Sequence, residues 1–264
     1  EVVGEVRMGQ APDLTLATGQ AAVAYTCGML GHNADGVVMV ENTQKIHATS
    51  IEVLRPVAPG ENVIQVGEDV RVGDVIAPAC CLLRPQDLGG LVALGIVQVK
   101  VRCRPRVAIV STGDEIVSPD TTPAPGQVRD INTYTIAALV EQAGGVPISL
   151  GVVKDDYEAQ RQVAVAGLSQ ADMLIFSAGS SVSSRDMTVQ VLHSLGPPGV
   201  LVHGIAHRPG KPTIMALIEG KPAFGLPGNP VSAMIVFRLL VRPTLYALTG
   251  CTQVPQPKTV QARL

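Results

Sequence analysis

Four short segments concentrate residue types that handle anions and hard cations. They are Thr112-Gly113-Asp114-Glu115, Lys154-Asp155-Asp156, the run 177–186, and Leu226-Pro227-Gly228-Asn229-Pro230. The run 177–186 places Gly179 and five serines, among them Ser180, Ser181 and Ser183, ahead of Arg185 and Asp186. Backbone N–H groups and hydroxyls at the start of a helix can hold an anion, aided by the helix dipole. The same composition also suits a capped turn with solvated serines. Asp114, Glu115, Asp155, Asp156 and Asp186 supply carboxylates to three of the segments. Mg²⁺ takes carboxylate oxygens together with substrate phosphates, so a nucleotide-like ligand with Mg²⁺ would use both the acidic residues and the serine loop. Asp155 and Asp156 serve equally well as helix caps.

Arg208-Pro209-Gly210-Lys211-Pro212 is the basic counterpart. Its prolines would present Arg208 and Lys211 from a rigid turn, either to an oxyanion or to solvent. His203 and His207 are four apart on an expected strand and turn, whereas a zinc pair at that spacing needs a helix. No Gly-x-Ser-x-Gly elbow, Walker loop or Gly-x-Gly-x-x-Gly fingerprint occurs, which argues against a serine hydrolase or a P-loop kinase.

The elements that must position these segments follow from hydrophobic spacing. The apolar run at 106–110 suits a strand buried on both faces, and further strands are expected at 146–150 and 173–176. Helices are expected between them, one capped by Asn132 and stopped by Gly144, one capped by Asp155 or Asp156 and running to 168, and one over 187–195. Further strands are expected at 200–204, 213–218 and 222–226, and a final amphipathic helix over 231–248. Alternating strands and helices predict a doubly wound, mostly parallel α/β domain over 105–250. Ligands bind such sheets outside the carboxyl ends of the strands, which selects all four segments. Residues 1–65 read as β-rich, with apolar runs at 36–40 and 51–54 between turn residues. Residues 66–104 read as a small connector with a helix at 86–94, and 251–264 as a linker. The fold class is thus multidomain, α/β plus β.

The 264 residues are 46 % hydrophobic and 16 % charged, ample for a core. A net charge of −2 and only seven aromatics argue against a nucleic-acid platform. No apolar run is expected to reach the roughly 18 residues of a membrane span. Cys27, Cys80, Cys81, Cys103 and Cys251 form no disulfide or zinc spacing, so reduced thiols in a cytoplasmic protein are expected.

Taken in order, nine segments resemble the MoeA / gephyrin E-domain family, the molybdopterin molybdenumtransferases. They are 33–39, 59–62, 67–69, 107–115, 126–132, 151–156, 177–186, 209–212 and 225–232. The resemblance spans nearly the whole chain. It implies a molybdopterin-binding α/β domain that inserts molybdate into adenylylated molybdopterin with release of AMP, dependent on Mg²⁺. It also implies a homodimer and contacts with other molybdenum cofactor biosynthesis proteins. By position it implies Glu115, Asp155 and Asp186 as catalytic and Mg²⁺-holding. Thr112, Gly113, Asp114, Asn132, Gly179, Ser180, Ser181, Ser183, Arg208, Lys211, Pro227, Gly228, Pro230, Thr26 and Asp69 are implied as substrate-binding. The family's Ala-Met-Asp-Gly-Tyr-Ala segment and C-terminal β domain are expected to lie outside this chain. The third segment departs from the family's Gly-Gly-Val-Ser-Val-Gly-Glu-x-Asp, with Ser184 in place of its acidic residue. That leaves two rival readings, a non-catalytic molybdopterin-binding or scaffolding module and a MogA-like molybdopterin adenylyltransferase.

Overall fold

Short apolar runs broken by turn residues give residues 1–75 little regular structure. Strand β1 (Val2–Val6) pairs in parallel with β2 (Ala21–Ala24), and β3 (Thr43–His47) pairs antiparallel with β4 (Ser50–Val53). The expected strand over 36–40 does not form. The Val37 N–H donates to the Glu61 carbonyl (3.1 Å) and the Asn62 Nδ2 donates to the Val37 carbonyl (2.8 Å). The backbone groups of Val37 are therefore taken by the neighbouring turn rather than by a ladder. The structure is a computed structural model that describes residues 1–177 and 182–252, with backbone alone over 182–186. It contains two compact units, Glu1–Val75 and Ile76–Leu264. The connector expected over 66–104 is divided between them.

In the second unit, helix α1 (Pro85–Ala93) begins with Pro85 at its first position, and Asp87 Oδ2 accepts the Arg84 N–H at 2.8 Å. Then follow β5 (Arg106–Thr112), β6 (Ile116–Val117), β7 (Val128–Arg129), α2 (Asn132–Gln142), β8 (Val146–Val153), α3 (Tyr157–Gln170) and β9 (Met173–Ser177). The unit continues with α4 (Val182–Ser194), β10 (Pro198–His203), β11 (Ile214–Ile218), β12 (Lys221–Leu226), α5 (Pro230–Val236), a π-helical turn (Phe237–Val241) and α6 (Arg242–Leu248). The six-stranded sheet has the order β10-β11-β12-β9-β5-β8. Strands β12, β9, β5 and β8 are mutually parallel, and β11 runs antiparallel to both its neighbours.

Period-two alternation along β5 and β9 separates two cores. Val107, Ile109, Met173 and Ile175 join residues of α2, α5 and α6 on one face. Ala108, Val110, Leu174 and Phe176 join residues of α3 and α4 on the other. This burial on both faces is what the apolar run 106–110 predicts, and β9 shares it, whereas β8 is the edge strand and stays largely exposed or half-buried.

Three local expectations change. Asn132 is the first helical residue of α2 and caps nothing; the Thr133 N–H is accepted instead by Asp130 Oδ1 at 3.1 Å. Helix α4 starts five residues before 187. The last helix holds a π turn, because Pro243 has no N–H and its ring would collide with the carbonyl four residues earlier. There the Arg242 N–H reaches back to the Phe237 carbonyl. The run Pro230–Leu248 has 19 residues and mean hydropathy 1.5, so by length and composition it does match a membrane span, contrary to expectation. Its Ala233, Val236, Phe237, Val241 and Leu245 are buried in the core.

Candidate active site at the carboxyl edge of the sheet

Parallel pairing sends the carboxyl ends of β5, β8, β9 and β12 to one edge. Strand β11 is reversed, so its beginning lies on that edge too, where Ile214 pairs with Gly225 at the end of β12. The turn carrying Arg208 and Lys211 therefore joins the other loops. It is closed by Gly204 N–H donating to the Thr213 carbonyl (2.8 Å) and Ile205 N–H donating to the Lys211 carbonyl (2.9 Å). Helix α2, after β5, covers one face, while α4, after β9, covers the other. Adjacent strands whose helices leave to opposite faces open a crevice between their ends, the usual ligand position in such sheets.

The first loop is shaped by Gly113. Its φ is +149°, and a Cβ there would lie 2.7 Å from Glu115 Oε2. Only glycine lets the half-buried Glu115 carboxylate fold back against the chain. The Gly113 N–H donates to the Val153 carbonyl (3.2 Å), and the Asp155 N–H donates to Asp114 Oδ1 (3.3 Å), so the ends of β5 and β8 are tied together. Asp156, not Asp155, is the α3 cap, accepting the Ala159 N–H at 2.8 Å. Fully buried Gln160 donates from Nε2 to the Lys154 carbonyl (3.3 Å) and to Asp155 Oδ1 (3.4 Å).

Beneath these loops lies a buried polar layer. Ser111 Oγ lies 3.0 Å from Asp130 Oδ1, to which it donates, and 2.8 Å from Thr133 Oγ1. Asn132 Nδ2 donates to Ser177 Oγ (2.7 Å) and to the Gly228 carbonyl (2.8 Å). Thr112 Oγ1 and Asn132 Oδ1 are buried without a partner. Pro227 is buried, Asn229 caps α5 through the Val231 and Ser232 N–H groups, and Pro230 is the helix's first residue. Arg208 and Lys211 are exposed. A Cβ on Gly210 would lie 2.5 Å from Val236 Cγ2, so their turn packs directly against α5.

The edge thus brings together Thr112, Gly113, Asp114, Glu115, Asn132, Asp155, Arg208, Lys211, Pro227, Gly228 and Pro230. Gly179, Ser180 and Ser181 lie outside the described residues, and Ser183 and Asp186 are placed only by the backbone of α4. Thr26 and Asp69 are exposed residues of the first unit. Among the described residues no three His, Cys, Asp or Glu side chains cluster as a metal set. His203 is on β10, and His207 Nδ1 lies 2.6 Å from the Pro209 carbonyl. Sequence reasoning missed Ser111, Asp130, Thr133 and Gln160. One signal was available: Ser111 and Thr112 end an otherwise apolar strand.

The chain matches the probable molybdopterin binding domain over residues 108–247 and the MoeA N-terminal region, domains I and II, over residues 1–95. It is 38 % identical to the molybdopterin molybdenumtransferase of Nostoc sp. over all of this chain and 61 % of the relative. It is 36 % identical to that of Haemophilus influenzae over 88 % of this chain and 57 % of the relative. The chain therefore spans about three fifths of the length of the curated relatives it matches. A solved molybdopterin biosynthesis MoeA protein from Pyrococcus horikoshii superposes with a TM-score of 0.71 at 31 % identity, over 95 % of this chain and 61 % of the other. With a MoeA N-terminal region followed by a probable molybdopterin binding domain, the chain belongs to the MoeA family.

Proposed function

We propose that the protein works in molybdenum cofactor biosynthesis, inserting molybdate into adenylylated molybdopterin with release of AMP. One observation carries the reading: the topology gathers the acidic, basic and proline-glycine loops of a probable molybdopterin binding domain on one sheet edge. Molybdate and the adenylylated pterin are substrates. Gly179, Ser180, Ser181 and Ser183 would hold anionic groups of the substrate, and so would Arg208 and Lys211. Thr112, Gly113, Asp114, Asn132, Pro227, Gly228 and Pro230 would line the crevice, and Thr26 and Asp69 are further substrate-binding positions.

Mg²⁺ fits the donor set. It uses one or two carboxylates, with phosphates and waters completing the shell. Asp155 and Glu115 offer such oxygens at adjoining strand ends, with Asp186 as the third carboxylate of the reading. When bound, the ion would supply charge neutralisation at the phosphates as AMP departs. The chain's own residues orient the ligand and keep its anionic groups paired. We also propose a homodimer in the cytoplasm, meeting other cofactor-biosynthesis proteins and neither nucleic acid nor membrane. The match of residues 1–95 to the MoeA N-terminal region favours this reading over a stand-alone adenylyltransferase.

The deciding experiment measures AMP release from adenylylated molybdopterin with Mg²⁺, with and without molybdate. Molybdate-dependent release is expected, and Glu115→Gln and Asp155→Asn should each slow it about 10²-fold while remaining folded, the usual scale for losing one stabilising charge contact. Equal rates in wild type and both variants would remove the carboxylate assignment. Ligand binding without any release would leave two readings, an enzyme that needs the further length its relatives have and a binding or scaffolding module, and the same assay on a protein of the relatives' length would choose between them.

A further inference from the structure

We propose that Asn132 is a positioning residue whose carboxamide fixes the ends of β9 and β12 to the start of α2, an inference that rests on the transferase reading above. Three observations support it. First, the side chain joins segments 45 and 96 positions away in sequence, Ser177 at 2.7 Å and the Gly228 carbonyl at 2.8 Å. Those two contacts use both hydrogens of Nδ2. Second, α2 does not need Asn132 for its own start. Asp130 Oδ1 accepts the Thr133 N–H, and the Ser111 hydroxyl bonds that same carboxylate. Third, the arrangement leaves Asn132 Oδ1 buried without a partner. Burying a polar atom unpaired is unfavourable, and an apolar residue serving packing alone would avoid it. The contacts thus set the spacing between the start of α2, which follows β5 on one side of the crevice, and the end of β9 on the other, with the Pro227–Pro230 loop held beside them.

The test compares the whole chain with Asn132→Ala, Asn132→Asp, Ser177→Ala and the double Ala variant. Asn132→Ala should lower kcat for AMP release about 10- to 100-fold, as misplacement near 1 Å does, with KM within about threefold. Asn132→Asp keeps the shape but loses the donors, and it should be as slow. If Asn132 acts through Ser177, the double Ala variant should be little slower than Asn132→Ala alone, because groups acting as a unit are non-additive. Normal kcat with a lowered Tm in Asn132→Ala would reduce the residue to packing and overturn the proposal, as would an Asn132→Asp enzyme with wild-type kcat. Should the wild type release no AMP, amide exchange at Gly228 and Asn229 judges the positioning role separately from the transferase reading. Faster exchange in Asn132→Ala supports it; unchanged exchange overturns it.

Discussion

The two units treat their apolar residues differently. In the second, Val107, Ile109, Ile175 and Phe176 have no exposure at all. In the first, Val6 is the one hydrophobic residue below a tenth exposed among the described residues, while Met8, Met29, Val40 and Ile64 stand more than half exposed. A sheet covered on both faces excludes water and fixes what its strand ends carry. Two-stranded ladders cannot, because too little surface is removed from water. Residues 1–75 rely instead on a repeated local device, an acidic or amide side chain that accepts the N–H three residues earlier. Gln20 does so for Ala17, Glu61 for Ala58, Glu68 for Gln65 and Asp74 for Arg71, all at 2.8 to 3.0 Å. Orientation that chemistry can use is therefore built by burial in one unit, and chain direction is set by turns in the other.

The largest test of that contrast exchanges one side chain in each unit. Ile175→Ala should destabilise the second unit by about 2–5 kcal/mol, the range for truncating a fully buried aliphatic residue. Met29→Ala should change the first by no more than about 0.5 kcal/mol, as surface substitutions do. Denaturant melts followed separately in the two units would check both. A loss above about 1.5 kcal/mol for Met29→Ala would mean that the first unit has a core that its exposures do not show.

Two helical glycines sharpen the comparison within the second unit. A Cβ on Gly167 would meet Leu150 Cδ1 at 2.9 Å and Ala108 Cβ at 3.1 Å. Ala108 is anchored in β5, which is paired on both sides, and cannot retreat, so Gly167→Ala should lower stability by about 1–2 kcal/mol despite alanine's better helix propensity. A Cβ on Gly89 in α1 would meet no atom within 4 Å, so Gly89→Ala should raise stability by up to about 1 kcal/mol. Opposite signs of the Tm shift are the expected result.

The smallest effect is on α1 in acid. Arg84 donates to Asp87 from its side chain and its backbone, which lowers the Asp87 carboxyl from 3.8 to about 2. A depressed folded-state value means that this contribution is complete above the unfolded value and is lost as pH falls from near 4 through 2. Stability measured over that window should fall less steeply for Asp87→Asn than for the wild type. Equal slopes would show that this pair of an exposed Arg84 and a half-buried Asp87 contributes nothing, as surface ion pairs often do.

Much of the second unit was legible in the sequence. Runs such as 106–110 and 173–176 announce strands, and Gly144 ends a helix where φ is positive, +85°. The loops that follow those strands could be placed on one sheet edge from the expected topology alone. The β-rich reading of 1–65 was harder to place, since the run 36–40 has strand composition yet gives its backbone hydrogen bonds to a turn. The choice between Asp155 and Asp156 as cap was also open, because both types cap well and adjacent positions differ only in backbone angle.

Sequence by itself determined the alternation of strand and helix, the residues at each strand end and the family likeness, because these depend on short-range spacing and residue chemistry. Tertiary structure decided what those residues do to one another. The reversed β11 carries Arg208 and Lys211 to the common edge, Gln160 reaches Asp155, and Asn132 serves β9 and β12 rather than its own helix. Each of these is set by pairing order and by where a side chain's donors find acceptors, which spacing along a single chain does not encode.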